Sequence, residues 1–524
     1  MGLTQQFFTR KASGLIRTIS MTDALMFNLV MMAFIASMTF APYSAAFYPG
    51  MDLIWGSTLA LPLVFIIGLC WLYFALAMPR AGGDFVWVSR SIHPSIGFVD
   101  SLPLVIAIGG GWAGGIGRGF QDPSVASILT AFGMASAIPF WTSLYVSYSI
   151  AMISVAASLI IIAAGTKATF RFGWLCFIIL LIGLFTYDGL MLSAGHAAFI
   201  ARFEAVSGTT TDAIIKAAQA AGYNTGFTTV GLFVGMVYIF LNYYGFAWSA
   251  YYSGEMKEFS KSNIIAILGA IIIFWAFTTS QYWVTYTVAG REFFHAASYL
   301  SLNGNPAWTL PMWPNLAYLA TFATDIPWLA AVCGIALWWQ QFSAYVCYWV
   351  MTTRVIFAWS FDRIIPTAFS EIDQRFHAPR NALFLSGAIA FIFVTIGYFF
   401  PGMLAFLTYG TMGVYMSCAI VGLAAVIFPF RRKDIFEKAP SMVKAKVAGI
   451  PVMAIFGLLT FIISAAIAVF SALPAVTGAP VNPLYVSFMI SIYIFAFVYY
   501  WVSAWYNRRR GLDMSVAYRE LPPL

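Results

Sequence analysis

The sequence offers few side chains equipped for chemistry, and the informative ones interrupt apolar runs. Asn242-Tyr243-Tyr244-Gly245 sets an amide, two phenols and a glycine inside one such run, and Asn and Gly are both poor helix formers. A second weak point is Ala33-Phe34-Ile35-Ala36-Ser37, with Pro42 beyond it. Interrupted membrane helices leave backbone groups and half-helix dipoles free to face a solute near the bilayer midplane. The competing reading of Gly245 is a packing notch, because small residues let membrane helices approach closely. Asp188, in Leu184-Phe185-Thr186-Tyr187-Asp188-Gly189-Leu190, is the one acid placed well inside a span. A carboxylate in that setting is costly enough to be a functional candidate by default, here as a proton carrier. A hydrated vestibule, or a partner such as Arg118, explains it without any coupling role.

Other chemistries find no footing. The five cysteines, Cys70, Cys176, Cys333, Cys347 and Cys418, all lie in apolar stretches with no paired spacing and no His nearby. Neither a disulfide framework nor a zinc site is expected. The run Gly109-Gly110-Gly111-Trp112-Ala113-Gly114-Gly115 lacks the Lys-Ser/Thr that a phosphate loop requires. It reads instead as a surface where helix three crosses helix one or eight closely. With no nucleophile triad, metal cluster or nucleotide loop, no catalytic residue, no metal site and no cofactor beyond a coupling ion are expected, and the chain is not read as an enzyme.

What must position these residues is a set of membrane spans. The 524 residues are 61% hydrophobic and 9% charged, far from the roughly one-quarter charged content of soluble domains. At about 20 apolar residues per crossing, twelve helices are predicted near 22–47, 53–78, 97–120, 142–165, 172–193, 227–252, 263–288, 327–353, 382–400, 404–429, 451–473 and 484–506. The fold class is thus an all-α polytopic membrane protein, with a segment 1–21 before one transmembrane domain, 22–506, and a tail, 507–524.

An even number of spans puts both termini on one side. Of the 27 Lys and Arg, 23 fall on that side, against Arg118, Arg202, Lys216 and Arg291 on the other. The positive-inside rule makes it the cytoplasm. Arg431-Arg432-Lys433 and Arg508-Arg509-Arg510 accordingly read as topology determinants and anionic-lipid contacts, not as a nucleic-acid surface. The long connections 194–226 and 289–326 carry apolar positions at helical spacing, such as Phe293, Phe294, Tyr299 and Leu302, and are expected to cap the outer mouth. The first residues contain no short apolar core with a cleavage site, so no removable signal peptide is expected.

Three segments carry a resemblance. Pro79-Arg80-Ala81-Gly82-Gly83-Asp84-Phe85-Val86-Trp87-Val88-Ser89-Arg90 follows the second span, Tyr243-Tyr244-Gly245-Phe246 leads to Gly254-Glu255-Met256-Lys257, and Arg354-Val355-Ile356-Phe357-Ala358-Trp359-Ser360-Phe361-Asp362-Arg363-Ile364-Ile365-Pro366 ends the eighth. In this order on twelve spans they resemble the amino acid-polyamine-organocation (APC) permeases. The resemblance implies the leucine-transporter fold: two inverted repeats of five helices, about 22–193 and 227–429, discontinuous helices 1 and 6, and extra helices 11 and 12 at about 451–506. The pattern departs from the family where its glycine-rich first break is Phe34-Ile35-Ala36, where an acid after the sixth-helix break is Ala247, and where a helix-five lysine falls near Leu180.

On that resemblance a substrate α-amino group would rest on carbonyls at Phe240, Asn242 and Tyr243, at the negative end of a half-helix. Its carboxylate would face amides around Ile35, Ala36 and Ser37. Leu241, Tyr244 and Gly245 would line the side-chain pocket, with Asn242 as its polar handle; ordinary packing is the competing role for both tyrosines. Ser343, near Gln340-Gln341, either contributes oxygen to a sodium site between helices one and eight or bonds back to its own helix. Tyr348 aligns with a gating aromatic, and Trp338 and Trp339 either gate or pack. The expected function is a secondary active transporter of amino acids or related small amines in the cell membrane, coupled to a proton or sodium gradient. A membrane sensor or a channel is the rival.

Overall fold

The first predicted span is two helices with a break between them. In the computed structural model, which describes residues 17–35, 37–113, 117–373, 378–400, 403–472 and 483–521, α1 runs over Met21–Met31 and α2 over Ser37–Phe47. α1 starts on a reciprocal cap: the Ser20 hydroxyl accepts from the Asp23 amide, and the Asp23 carboxylate accepts from the Ser20 amide at 3.0 Å. It stops where Ala33 adopts φ +51°, a left-handed conformation that costs an L-residue about 1–2 kcal/mol.

α3 (Leu53–Ala77) follows, capped by Asp52, and then α4 (Asp84–Ser91) and α5 (Pro94–Ile106). Beyond α5 the chain widens into π-type turns at Ala107–Trp112 and Gly117–Gln121 before α6 (Asp122–Ala131). At its glycine run the third span, predicted over 97–120, changes from α to π winding. The run meets spans eight and nine: a Cβ on Gly109 would lie 3.0 Å from Thr352, and one on Gly110 2.7 Å from Phe393.

α7 (Leu144–Ala163) and α8 (Thr166–Ser207) come next; α8 outruns its predicted end at 193 and bends at Gly195, φ +68°. α9 (Thr211–Ala220) lies in the first long connection. α10 (Thr229–Tyr243) continues as a 3₁₀ helix, Tyr244–Tyr251. Span six thus tightens at its weak point where unwinding was expected. α11 (Phe259–Ile264) runs through a π turn into α12 (Ala270–Val288), and α13 (Arg291–Leu302) occupies the second connection with Phe293 and Phe294 buried. The remaining long helices are α14 (Pro327–Phe361), α15 (Arg380–Phe399), α16 (Met403–Arg431), α17 (Val452–Ala472) and α18 (Pro483–Arg509). A hairpin pairing Lys446 with Pro451 precedes α17.

Among the described residues ten helices are long and apolar enough to cross a membrane, and Met21–Met31 and Pro94–Gly110 are shorter apolar helices. Span one drops below the length limit because it is broken. The fold is an all-α polytopic membrane protein. Outward-facing Ile494, Phe497, Trp501, Val502 and Trp505 on α18 are about half exposed, a surface that lipid covers and water would not. Inside, small residues set the closest crossings, as where Gly422 of α16 meets Gly457 of α17.

Candidate substrate site

The two weak points predicted in spans one and six meet. Gly245 packs on the backbone of Met31 and Met32, so closely that a Cβ there would fall 2.6 Å from the Met31 carbonyl carbon. The glycine is a notch, as its bland reading proposed, and the surface it packs against is the other break. Beside this crossing lies a cavity. Span one contributes Met31, Met32, Ala33 and Phe40; span six contributes Leu241, Asn242 and Gly245; Trp112, Phe120 and Tyr348 complete the wall. None of these is charged. Trp112 stands edge-on to Tyr244 at 6.0 Å and 6.2 Å from Tyr348, and Phe40 meets Phe120 at 5.6 Å, so an entering ammonium would find aromatic faces.

Backbone groups freed by the breaks are held by side chains. Asn28 in α1 donates to the Phe246 carbonyl at 2.5 Å and the Ala266 carbonyl at 2.9 Å, and accepts from the Ser249 amide at 2.8 Å. It pins the 3₁₀ half of span six to both span one and span seven. The Phe240 carbonyl accepts from the Tyr415 hydroxyl at 2.9 Å, and the Val30 carbonyl accepts from the Gln340 amide at 3.1 Å.

Of the residues predicted for the site, Leu241, Asn242, Gly245 and Tyr348 stand on the cavity wall. Others face elsewhere. Ile35 packs toward Gly183 of α8, Ser37 donates to the Gln281 side chain of α12, and Tyr243 directs its hydroxyl to the Ser57 carbonyl at 3.2 Å. The first-span contribution consequently comes from residues 31–33 and from Phe40, on either side of the predicted 35–37, because Ala33 redirects the chain. Ala36 lies outside the described residues. Tyr244 stands behind Trp112, off the wall.

Asp188 is half-buried and accepts from the Ser280 hydroxyl at 3.1 Å, while Arg118 lies over the Tyr398 ring. Ser343 donates to the Gln340 carbonyl at 2.8 Å and accepts from the Gln340 amide at 3.0 Å. Trp339 packs on Phe172 and Phe342. Reading the sequence missed Asn28, a lone amide in an apolar span, and the buried carboxylates Asp84 and Asp100.

A family model described as Amino acid permease matches residues 18–498. The chain belongs to that family. The permease therefore sits in the APC superfamily that the three motifs resembled, and it is a multi-pass membrane transporter of amino acids or related solutes. Among curated proteins, no sequence matches the permease significantly.

The structure gives the motifs a physical reason: they assemble at one end of the permease. Gly82, φ +103°, turns the first motif so that its amide donates to the Tyr251 carbonyl at 3.1 Å. Arg90 of the same motif pairs with Asp362 of the third, and Arg354 of the third pairs with Glu255 of the second at 3.0 Å, all four side chains being buried. Ile19 exchanges two backbone hydrogen bonds with the second motif's exit, donating to the Glu255 carbonyl at 3.2 Å and accepting from the Lys257 amide at 3.0 Å. The segment leading into span one is thereby tied to the segment leaving span six.

Proposed function

We propose that the permease is a secondary active transporter that moves amino acids or related small amines across the cell membrane by alternating access. The solute would rest in the cavity between spans one and six. The observation that carries this reading is the meeting of the break in span one with the 3₁₀ turn of span six, at Met31-Met32 and Gly245, beside an uncharged, aromatic-walled cavity. An ammonium suits the C-terminal end of α10 and the faces of Trp112 and Tyr348. A carboxylate suits the positive N-terminal end of α2, which begins at Ser37. Asn242 is then the group that reads the solute's side chain.

The same proposal includes two inverted repeats, 22–193 and 227–429, and cytoplasmic termini, which rest on the 23-to-4 division of basic residues. Coupling is to a proton or a sodium gradient, with Asp188 and Ser343 the candidates named from sequence. The contacts of Gln340 support the proton: its amide donates to the Val30 carbonyl and the Ser343 hydroxyl, oxygens that a sodium ion between spans one and eight would require.

A thermal-shift screen against amino acids and amines identifies the solute, because a ligand of the native state raises its melting temperature. Saturable, competable uptake of that solute into proteoliposomes supports transport; unsaturable downhill flux would mean a channel, and binding without flux a sensor. Asn242→Ala is expected to reorder the preferred solutes. Unchanged uptake of every solute by that variant would remove Asn242 from the site.

A further inference from the structure

Behind the cavity the permease buries two carboxylates that the transport reading has not used. Asp84 opens α4 and is 0% exposed; Asp100 lies in α5 and is 1% exposed. Asp84 accepts from the Phe85 amide at 2.8 Å and from the Ser417 hydroxyl of α16 at 3.2 Å. Asp100 makes no well-formed hydrogen bond at either oxygen among the described residues, and the Ser417 hydroxyl bonded to Asp84 is the polar group that faces it. The titratable groups facing the two acids are Tyr244 and Tyr251 from the 3₁₀ half of span six, Cys418 from α16 and Tyr493 from α18. Among the described residues no Lys, Arg or His couples to them.

Two carboxylates sharing a buried site cannot both stay ionised, because burial and like charge both favour the neutral form. An unpartnered buried carboxylate is tolerable only when it carries a proton. Burial accordingly pushes the Asp84 carboxyl up to about 7. The hydroxyls of Tyr244 and Tyr251 are themselves buried and face each other, with Tyr251 also facing Asp84, so the surroundings hold polar groups able to accept or donate as the charge changes. These tyrosines also connect the acids to the cavity. Tyr244 touches the wall residue Trp112, and the 3₁₀ segment that carries both tyrosines includes the wall glycine Gly245.

We propose that Asp84 and Asp100 together form the proton-binding site of the permease, filled and emptied as the Tyr244–Tyr251 segment shifts with solute occupancy. This deepens the transporter reading and rests on it for the coupling role. In each cycle the singly charged pair takes one proton from water on the side to which it opens, becomes neutral, and returns the proton to water on the other side. No electron moves and no covalent bond other than O–H forms or breaks.

Two measurements separate this inference from the reading beneath it. The first needs no transport: infrared difference spectra of the purified full-length permease between about pH 5 and about pH 8 should contain the carbonyl stretch of a protonated carboxyl. That band should be altered in both Asp84→Asn and Asp100→Asn. Its persistence unaltered in both variants would overturn the proposal, and Asp100→Glu, which should shift the band, serves where Asp100→Asn does not fold.

The second uses proteoliposomes and a radiolabelled mixture of the common amino acids. An acid-outside gradient of about one pH unit supports up to about tenfold accumulation for one proton per solute. In each Asn variant the ratio of pH-driven accumulation to gradient-free exchange should fall to that of vesicles without a gradient. Accumulation that follows sodium and ignores pH overturns the coupling role. A permease that shows the carboxyl band but exchanges no label keeps the proton site and loses the transporter reading.

Discussion

The Asn28 side-chain amide uses both of its hydrogens and its oxygen, donating to the Phe246 and Ala266 carbonyls and accepting from the Ser249 amide, with the Ser249 hydroxyl also within reach of its nitrogen. Removing it strands buried backbone groups that no water reaches, at about 1–3 kcal/mol for each one left unsatisfied. Asn28→Ala should therefore lower the melting temperature and weaken solute binding together, because the Phe246 and Ser249 groups belong to the same turn of span six as Gly245. A variant with the stability of the parent would show that these groups find other partners. Asn28 was not legible in the sequence, since a single amide in an apolar run gives no sign of a partner 218 residues away. Asp100 was passed over for a related reason. It sits near the end of its span, where an acid costs little, and the packing of α4, α16 and α18 around it makes it a deeply buried group. Asn242 and Gly245, by contrast, announced themselves through helix-breaking chemistry that acts locally.

At the scale of elements, the break in span one is the feature read most directly, yet its cause is a conformation that the sequence does not advertise. Ala33 holds φ +51° where glycine would be unstrained. Ala33→Gly should cost nothing in stability and gain up to about 1 kcal/mol, with solute exchange retained. Ala33→Val, which adds a β-branched side chain to a left-handed residue, should lose at least about 2 kcal/mol and narrow the cavity. Melting curves and exchange rates of the two variants decide it, and equal behaviour of both would mean that the backbone is not left-handed there. Other element boundaries escaped because apolarity carries no record of winding. The 3₁₀ continuation of α10 is built largely of the same apolar and aromatic residues as an ordinary span and is held from outside by Asn28, while the π turns after α5 fall on glycine-rich stretches whose winding the residue pattern does not specify.

Across the whole molecule, the motif cluster behaves as a latch built from charges that cannot be left alone. Arg354 pairs with Glu255 in a buried setting, and breaking such a pair by removing one partner costs about 3–5 kcal/mol, whereas replacing both partners with apolar residues can be neutral. Arg354→Met should destabilise strongly, and Arg354→Met combined with Glu255→Met should recover much of the loss. Independent, additive losses would argue against direct pairing. The carboxylate of Asp84, beside this latch, makes stability depend on pH with a definite sign. Its folded-state value is raised by burial to about 7, above that of the unfolded chain, so the folded state binds the proton more tightly. The resulting stability is fully present below the ordinary carboxylate value and is lost as pH rises through about 7. His295 acts in the opposite sense and in a lower window. Burial pushes it down to about 3, so its contribution is lost only as pH falls from the ordinary histidine value toward 3. Comparing the parent with Asp84→Asn from about pH 4 to about pH 8 cancels whatever the two proteins share, His295 included. Because the amide mimics the neutral acid, the variant should melt above the parent at the alkaline end, by on the order of a few kcal/mol, with the two curves converging at the acid end. Parallel curves across that window would mean that Asp84 keeps its charge in the folded protein, and the acid pair would then have no proton to exchange.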